Sequence, residues 1–532
     1  MKVILINGGP HENGCTYTAL KEVEKQLNKN DIETEILWLS VKPVAGCIGC
    51  GNCIKTGKCF QEDKVNEFIE KLNEKIIFSG NLETKYIEKL KKKQMNFLLA
   101  FYFIIVFIMQ ILIIKKILFL TGWDVLVLRE SSELLVNGAK LNNGYGTYFM
   151  TYPNNLFLLF LYVILKKVAL FLSINPNFLL AIVSAFSVNV SCLLITKIVY
   201  KMTNNRNLSI VCIFFCTIFL LFSPWIIIPY SDTFAMLITT GILFVYLNKN
   251  DINNYVSVFL IVFLAFIGYK IKPTVIIVLI SIVIIELWKM VFSKKKINVK
   301  VILKRAFPVG IAIIFIFALN TFSVNYLGYE RNTNIEMPMT HFLMMGINKE
   351  RSGVYLAEDV LYTQSYKGLD EKKDANIKEI KRRLKKYGID GYVQLLVNKS
   401  LVNYNDGTFA WGVEGNFYSQ ICAEDGKLAT LLKNIYYSDG SGEYYAYYST
   451  MMQGVWILLL VLSLFSFPYA KRYKITVLQL TIIGITLFLL LFEARARYLL
   501  LYAPYFIIVS ILGYSFVRSK INNIIRYCNV EF

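Results

Sequence analysis

The chain has 532 residues and a formal net charge of +20, yet only 18% of its residues are charged while 55% are hydrophobic. So apolar a composition indicates a membrane protein and argues against a string of soluble domains. The basic residues cluster beside apolar runs, as they do in the cytoplasmic loops of membrane proteins, so the charge does not indicate nucleic-acid binding.

The first 72 residues differ from the rest, because they have the pattern of a soluble α/β segment. A short apolar strand is predicted at 3–6, followed by a glycine-rich turn, a helix at 16–28 and a second strand at 33–39. Such a turn can bind a phosphate through backbone N–H groups and the helix N-terminus. A plain strand-to-helix turn is the alternative interpretation.

A compact cysteine cluster follows the second predicted strand. Its four thiols lie within thirteen residues and belong to Cys47, Cys50, Cys53 and Cys59. Thiolates at this spacing can hold an iron–sulfur cluster. Reduced thiols that bind no cluster are the alternative.

With this turn and these cysteines, residues 1–72 resemble the N-terminal part of flavodoxin-like NADPH-dependent FMN reductases, and among them the iron–sulfur flavoproteins. The resemblance implies that the FMN phosphate would be held by Gly8, Pro10, Gly14 and Thr16, and an iron–sulfur cluster by the four cysteines. A complete domain of this kind needs roughly 150 residues, whereas the pattern stops after a predicted helix at 63–72. We therefore expect a truncated segment without a complete flavin site, as a gene fusion would produce.

Beyond a basic junction at 73–95, apolar runs reach the roughly 20 residues that a bilayer-spanning helix requires. We predict a membrane domain at 96–322 with a first external loop at 117–153, an external loop domain at 323–450, and C-terminal spans with a tail at 451–532. The fold class is therefore mainly α, a polytopic helix bundle preceded by a truncated flavodoxin-like segment. The ten predicted spans are 97–114, 177–200, 208–228, 232–247, 255–269, 274–292, 306–322, 451–467, 475–492 and 498–516.

The distribution of lysine and arginine orients this multi-pass protein in the cell membrane. Placing the apolar run 154–172 in the membrane interface puts the basic loop 294–305 and both chain termini in the cytoplasm. The loop domain 323–450, with predicted helices near 375–386 and 392–402, is then extracytoplasmic. This topology gathers the unusual polar residues on the external face.

Those external residues combine carboxylates with cations. A carboxylate can deprotonate a hydroxyl or hold a divalent cation. Lysine and arginine can neutralise a phosphate leaving group. Sugar transfer from a polyprenyl-phosphate donor needs both functions at the membrane surface.

Residues 95–520 thereby resemble the GT-C superfamily of integral-membrane glycosyltransferases, of the protein-mannosyltransferase-like type. Besides the hydropathy pattern, the matching pieces are Asp124, Tyr152-Pro153-Asn154-Asn155, Ser231-Asp232, Lys272-Pro273-Thr274, Pro338-Met339-Thr340-His341 and Arg495-Ala496-Arg497-Tyr498. The resemblance implies a catalytic role for Asp124 and lipid-phosphate binding by Lys272, Arg495 and Arg497.

Asp232 and His341 are further candidates for substrate binding, with a structural role as the alternative for His341. An Asp-x-Asp motif is absent, so the sequence leaves open whether the reaction uses a divalent cation.

We therefore predict a glycosyltransferase in the lipid bilayer that modifies a glycan, lipid or polymer acceptor of the cell envelope. Two alternatives are a membrane-tethered FMN reductase and a transporter or flippase. The transporter or flippase is disfavoured for two reasons. The predicted spans contain few charged residues, and the sequence shows no internal repeat.

Overall fold

The computed structural model separates into two compact units, Met1–Phe101 and Tyr102–Phe532, which are described in turn. The residues described are 2–30, 32–39, 64, 66–67, 80–141, 145–249, 251–292, 299–415, 418–421, 426–437, 442–468 and 473–528.

The first unit contains a β-α-β arrangement. Strands β1 (Lys2–Asn7) and β2 (Glu33–Trp38) pair in parallel, and helix α1 (Cys15–Asn28) connects them and packs on both. These three elements confirm the sequence prediction to within two residues at each end. The predicted cysteine cluster lies outside the described residues, as does most of the predicted helix at 63–72.

Little of this first unit is buried among its described residues. Val3, Asn7 and Leu37 are buried, whereas α1 has no buried residue. A two-stranded sheet with so small an interior is marginally stable by itself.

Helix α2 (Gly80–Ile117) begins in the first unit and ends in the second, whose described elements are helices and one small sheet. In that sheet β3 (Phe119–Thr121) pairs antiparallel with β4 (Tyr418–Ile421). The remaining helices are α3 (Trp123–Val136), α4 (Gly146–Thr151), α5 (Leu156–Phe171), α6 (Pro176–Thr203), α7 (Arg206–Cys216), α8 (Ser231–Leu247), α9 (Asn254–Ile271), α10 (Ile276–Phe292), α11 (Val299–Leu327), α12 (Met339–Gly346), α13 (Ala357–Gln364), α14 (Leu369–Tyr404), α15 (Lys427–Tyr436), α16 (Tyr445–Leu464), α17 (Tyr473–Leu491) and α18 (Ala503–Cys528).

The predicted multi-pass helical architecture is confirmed. Within the described residues, nine helices are long and apolar enough to cross a membrane, and two shorter apolar helices accompany them. The long ones are Phe97–Ile117, Pro153–Phe171, Pro176–Thr203, Asn254–Ile271, Pro273–Phe292, Ala306–Leu327, Tyr445–Leu464, Tyr473–Leu491 and Ala496–Asn522, and the short ones are Arg206–Leu221 and Ser231–Leu247.

Two apolar runs, one predicted as a span and one placed in the membrane interface, are compared here with the structure. The run 208–228 is not one straight helix, because a π-turn at Thr217–Leu221 and a 3-10 turn at Pro224–Ile227 follow α7. The run 154–172 forms a helix that is long enough to span, so its placement in the interface stays a prediction, as does the orientation of the chain.

Burial shows which helices form the centre of the bundle. About 78% of the apolar window in Ala496–Asn522 is buried, compared with 17% in Ala306–Leu327. Helix α8 packs against both α6 and α9, and α18 packs against α16. Asp232 lies in the first turn of α8, and Arg497 lies in the 3-10 turn that leads into α18, so both candidates reach the bundle interior.

Prolines interrupt the bundle where candidate residues lie. Pro153 and Pro273 each begin a 3-10 turn, since proline lacks the backbone donor that a continuing helix would use. Tyr152 and Lys272 therefore occupy breaks between helices. Outside the spans, α14 bends at Gly388, where φ is +61°, and its two halves correspond to the two helices predicted near 375–386 and 392–402.

Candidate active site

The second unit encloses a cavity of about 770 Å³. Four of the predicted site residues line it: Asp124, His341, Arg495 and Arg497. The other lining residues are Trp123, Tyr148, Tyr152, Asn154, Asn155, Tyr230, Phe342, Met345, Arg351, Val354, Tyr355, Val360, Val402, Asp406, Ala410, Val413, Glu414, Glu493, Ala494, Ala496 and Tyr498. Asp232 and Lys272 are buried behind the wall and do not line the cavity.

Asp124 is placed by an unusual helix start. Trp123, the first residue of α3, has a left-handed φ of +43°, which is strained for a bulky side chain. The Tyr230 hydroxyl donates to Asp124 Oδ2 at 2.9 Å, and the Tyr230 ring packs edge-on against Trp123. The carboxylate is therefore held at the cavity wall by a phenol donor.

Other tyrosines surround this carboxylate. Burial raises the pKa of Tyr148, and the Asp124 charge raises it further, so the phenol stays neutral. Burial also raises the pKa of Tyr152 to about 12, with smaller contributions from Tyr355, Asp124 and Glu493. These neutral phenols supply donors without adding charge.

A continuous chain of ion pairs, called here the charge chain, begins behind the cavity wall and ends on it. It runs in the order Lys272, Asp232, Arg497, Glu414, Arg495 and Glu493. Arg497 Nε lies 3.7 Å from Asp232 Oδ2 and 2.8 Å from Glu414 Oε2. Arg495 Nη1 lies 3.0 Å from Glu414 Oε1, and Arg495 Nε lies 2.8 Å from Glu493 Oε1.

The charge chain is electrically balanced, because it alternates three cations with three carboxylates. Its inner end is the buried pair between Lys272 and Asp232, from which neither side chain reaches the cavity surface. The side chain of Arg497 is only 4% exposed. Among the described residues its Nη1 is buried without a hydrogen-bond partner, as is the nearby Nε1 of Trp123, whose ring lies 4.3 Å from Arg497 Cζ. These buried N–H groups are thus left unused, which is costly unless a ligand accepts from them.

His341 is buried in α12, and its Nδ1 lies 2.8 Å from Thr363 Oγ1. The Thr363 hydroxyl in turn faces two acceptors, Asn376 Oδ1 and the carbonyl of Asp359. We infer that Nδ1 donates to Thr363 and that Nε2 is the unprotonated nitrogen. Burial lowers the pKa of His341 to about 4, so the imidazole is neutral at physiological pH.

Two loops that border the cavity are fastened to each other. The Ala494 N–H donates to the Gly353 carbonyl at 2.8 Å. The buried Lys399 ammonium donates to the carbonyls of Gly346 and Phe492. Gly353 has a φ of +77°, and a Cβ there would lie 2.6 Å from the Gly346 oxygen, so only glycine fits.

Sequence reasoning missed several residues of this site. Glu414 pairs with both arginines, yet it lies in the π-turn Trp411–Gly415, which no spacing pattern indicates. The one available signal was the need of buried arginines for carboxylate partners. Asp406 also lines the cavity, but its carboxylate accepts hydrogen bonds from Thr408 and Ala410 and so builds a turn.

Backbone strain concentrates around the cavity. Six non-glycine residues in the described part of the chain have positive φ, and four of them belong to segments that line the cavity: Trp123, Ser352, Phe409 and Ala410. Strained backbone persists where the surrounding structure enforces it, which is common at functional sites.

The first unit holds the other candidate motif, the predicted phosphate loop. Helix α1 begins after Gly14 with no side-chain cap, and the space beside Gly8 is open. Asn7 braces the turn by accepting from the Gly9 N–H at 3.0 Å and donating to the Glu12 carbonyl at 2.9 Å. Free N–H groups at this helix start and the Thr16 hydroxyl fit a phosphate.

No structural statement follows for the predicted iron–sulfur ligands, because Cys47, Cys50, Cys53 and Cys59 lie outside the described residues. Within the described residues, no group of three or more His, Cys, Asp and Glu side chains is placed to hold a metal ion.

The architecture is that of a polytopic helical membrane protein, and comparison with known families agrees. Residues 74–517 match the model of a family described as conserved hypothetical integral membrane protein. This match covers more than half of the chain, and the chain belongs to that family. Residues 1–75 match the NADPH-dependent FMN reductase family, so the two matches meet at 74–75.

Curated relatives match the N-terminal segment alone. An iron–sulfur flavoprotein of Methanocaldococcus jannaschii is 39% identical over 74 residues, which is 14% of this chain and 38% of that protein. One from Archaeoglobus fulgidus is 34% identical over 67 residues, 13% of this chain and 30% of that protein. One from Clostridioides difficile is 35% identical over 71 residues, 13% of this chain and 32% of that protein.

The chain thus spans about a third of the length of the curated relatives it matches. No solved structure matches the chain. The flavoprotein-like N-terminus predicted from sequence is confirmed, and the GT-C resemblance stays a prediction.

Proposed function

We propose that this membrane protein is a glycosyltransferase that moves a sugar from a polyprenyl-phosphate donor to an envelope acceptor on the external membrane face. The observation that supports it is the convergence of Asp124 with Arg495 and Arg497 on one cavity of about 770 Å³. Residues more than 350 positions apart in sequence share this wall, which also carries aromatic side chains. A cavity of this size, with aromatic walls and a few convergent polar groups, is typical of small-molecule sites.

Asp124 is the proposed general base. Its carboxylate takes the proton of the acceptor hydroxyl while that oxygen forms a bond to the anomeric carbon of the sugar. The bond between the anomeric carbon and the phosphate oxygen breaks, and the lipid phosphate leaves with the electron pair. The Tyr230 donor at 2.9 Å holds Asp124 in place for this step.

The unused donors of Arg497 and Trp123 have a place in this reaction. Among the described residues, Arg497 Nη1 and Trp123 Nε1 are buried N–H groups without partners, and we infer that an oxygen of the donor substrate accepts from them. A divalent cation would need Asp124 together with substrate oxygens, because the described residues offer no group of three or more metal-binding side chains.

The experiment is sugar transfer by membranes that contain Asp124→Asn, which keeps the shape of the side chain and removes its basicity. We expect a rate loss of about 10²- to 10⁴-fold, the usual contribution of a general base. Glu130→Gln is the matched control, because Glu130 lies on the same helix, accepts from Tyr145 and does not line the cavity. Transfer by Asp124→Asn at the wild-type rate, with equal protein in the membrane, would contradict the assignment.

A second candidate function is NADPH-dependent FMN reduction by the N-terminal segment, and the family match of residues 1–75 favours it. Gly8, Pro10, Gly14 and Thr16 would hold the FMN phosphate, and the flavin, when bound, would supply hydride acceptance. Cys47, Cys50, Cys53 and Cys59 would hold the iron–sulfur cluster. A flavin absorbance spectrum and an iron assay on protein purified with added FMN test it, and the absence of both signals would reject it.

A further inference from the structure

Arg351 differs from the other cations of the cavity. Among the described residues, three cationic side chains line the cavity, namely Arg351, Arg495 and Arg497. The last two belong to the charge chain and each lies beside two carboxylates. Arg351 has no acidic partner within the described part of the chain, and its side chain is exposed.

The loop that carries Arg351 is rigidly built. Asn348 braces it from inside, since its Oδ1 accepts from the Arg351 N–H at 2.9 Å and its Nδ2 donates to the carbonyls of Met345 and Val354 at 3.0 Å each. Ser352 and Gly353 adopt left-handed φ values of +53° and +77°, which complete the turn. The guanidinium is thus carried by a fixed backbone rather than by a loosely attached loop.

The same loop is fastened to the end of the charge chain. Gly353 accepts from the Ala494 N–H, next to Glu493 and Arg495, and the Lys399 ammonium bridges Gly346 and Phe492. These bonds tie the backbone that carries Arg351 to the segment that carries Arg495.

Charge balance separates the roles of these arginines. The charge chain is neutral in total, so it offers directed N–H donors but no surplus positive charge. Asp124 adds a negative charge to the same cavity, which repels an anion. An oxyanion that enters the cavity needs a compensating cation, and a guanidinium binds such a group through two parallel N–H donors.

We propose that Arg351 binds the phosphate group of the substrate, a role that sequence analysis gave to Arg495, Arg497 and Lys272. This inference rests on the proposed glycosyl transfer and names the residue that recognises the anionic end of its donor. Arg495 and Arg497 then form part of the cavity wall, and each donates a single hydrogen bond to the substrate.

The test measures ligand binding, without sugar transfer, to the full-length protein in lipid nanodiscs. The probes are a polyprenyl phosphate that lacks the sugar, the corresponding polyprenol without phosphate, and inorganic phosphate. Arg351→Gln is compared with Lys349→Gln, the matched control: Lys349 lies on the same turn, faces the Tyr387 ring and does not line the cavity. Arg351→Lys shows whether charge alone suffices.

We expect Arg351→Gln to bind polyprenyl phosphate about tenfold more weakly or worse, which is the usual effect of losing a charged hydrogen bond. Lys349→Gln should bind like wild type, Arg351→Lys should fall between, and polyprenol binding should not change. Because Arg351 has no buried partner, the thermal unfolding of Arg351→Gln should match that of wild type.

The outcomes separate this inference from the function on which it rests. If wild type binds polyprenyl phosphate and Arg351→Gln binds it equally well, the role of Arg351 is wrong and the lipid donor stands. If wild type binds inorganic phosphate through Arg351 but does not prefer polyprenyl phosphate to polyprenol, the anion site stands and the lipid donor is wrong. Wild type that binds none of the phosphates overturns both.

Discussion

The two units of this protein differ in how their candidate sites are recognised, by a local sequence motif in the first and by convergence in space in the second. The first unit has the more recognisable motif, a glycine-rich turn before α1, yet its helix buries no residue and its described sheet has two strands. The second unit has scarcely any motif of fixed spacing, yet it brings Asp124, His341, Arg495 and Arg497 to one cavity. A short motif thus identifies ancestry, whereas convergence in space is the stronger guide to chemistry.

This difference has a physical origin. A glycine-rich turn needs only local backbone geometry, so a short segment with a small interior can form it. A buried charge chain needs every partner, because one missing carboxylate leaves an uncompensated cation inside the protein. The charge chain of the second unit therefore depends on segments that lie far apart in the sequence.

The largest effect is therefore expected when the charge chain is cut. Arg497→Ala leaves Asp232 with only Lys272 and Glu414 with only Arg495, and both carboxylates are nearly buried. We expect the free energy of unfolding to fall by about 3–5 kcal/mol. Thermal unfolding of the detergent-purified protein measures it.

The control for this substitution removes an arginine at the surface. Arg382 pairs with Glu379, but its side chain is 63% exposed, so Arg382→Ala should cost at most about 1 kcal/mol. If both variants lost the same free energy of unfolding, the charge chain would stabilise the protein no more than an exposed ion pair does. The second unit would then not depend on its buried ion pairs.

A smaller effect is expected from pH at the Lys399 ammonium, which fastens the two loops. Burial lowers the pKa of Lys399 to about 7, from an ordinary value of 10.5. Between these values the unfolded chain binds a proton that the folded chain does not. Unfolding free energy should thus rise with pH across this window, by at most about 1.4 kcal/mol per pH unit, and stay level in this respect below pH 7.

Comparison with Lys399→Met isolates the contribution of Lys399, because the unfolding free energy of this variant should not rise in this way between pH 7 and 10. Lys385→Met, on the exposed side of the same helix, should keep the rise. A wild-type profile between pH 7 and 10 that is parallel to the profile of Lys399→Met would contradict the assignment.

Part of this architecture could be predicted from the sequence, since apolar length and strand–turn–helix patterns are local. The elements at 3–6, 16–28 and 33–39 and the polytopic bundle follow from such patterns. Asp124, His341 and the two arginines were chosen because the predicted topology places them on the external face, and they do line one cavity.

The remaining site residues depend on packing that sequence does not display. Lys272 and Asp232 have the right chemistry but pair with each other behind the wall. Glu414 and Arg351 come from irregular segments whose direction depends on distant contacts, such as the Gly353 bond to Ala494. The break after α7 arises at Pro224 and at a π-turn that hydropathy does not register.

We propose that the chemistry belongs to the cavity of the second unit and does not depend on the predicted phosphate loop of the first. The most direct measurement is the initial rate of sugar transfer from a polyprenyl-phosphate sugar by membranes that contain Thr16→Val, beside Asp124→Asn. Thr16 is exposed in the predicted phosphate loop, so its substitution should not disturb folding. We expect a wild-type rate for Thr16→Val and a near-complete loss for Asp124→Asn; a loss in Thr16→Val with normal transfer by Asp124→Asn would instead place the chemistry in the first unit.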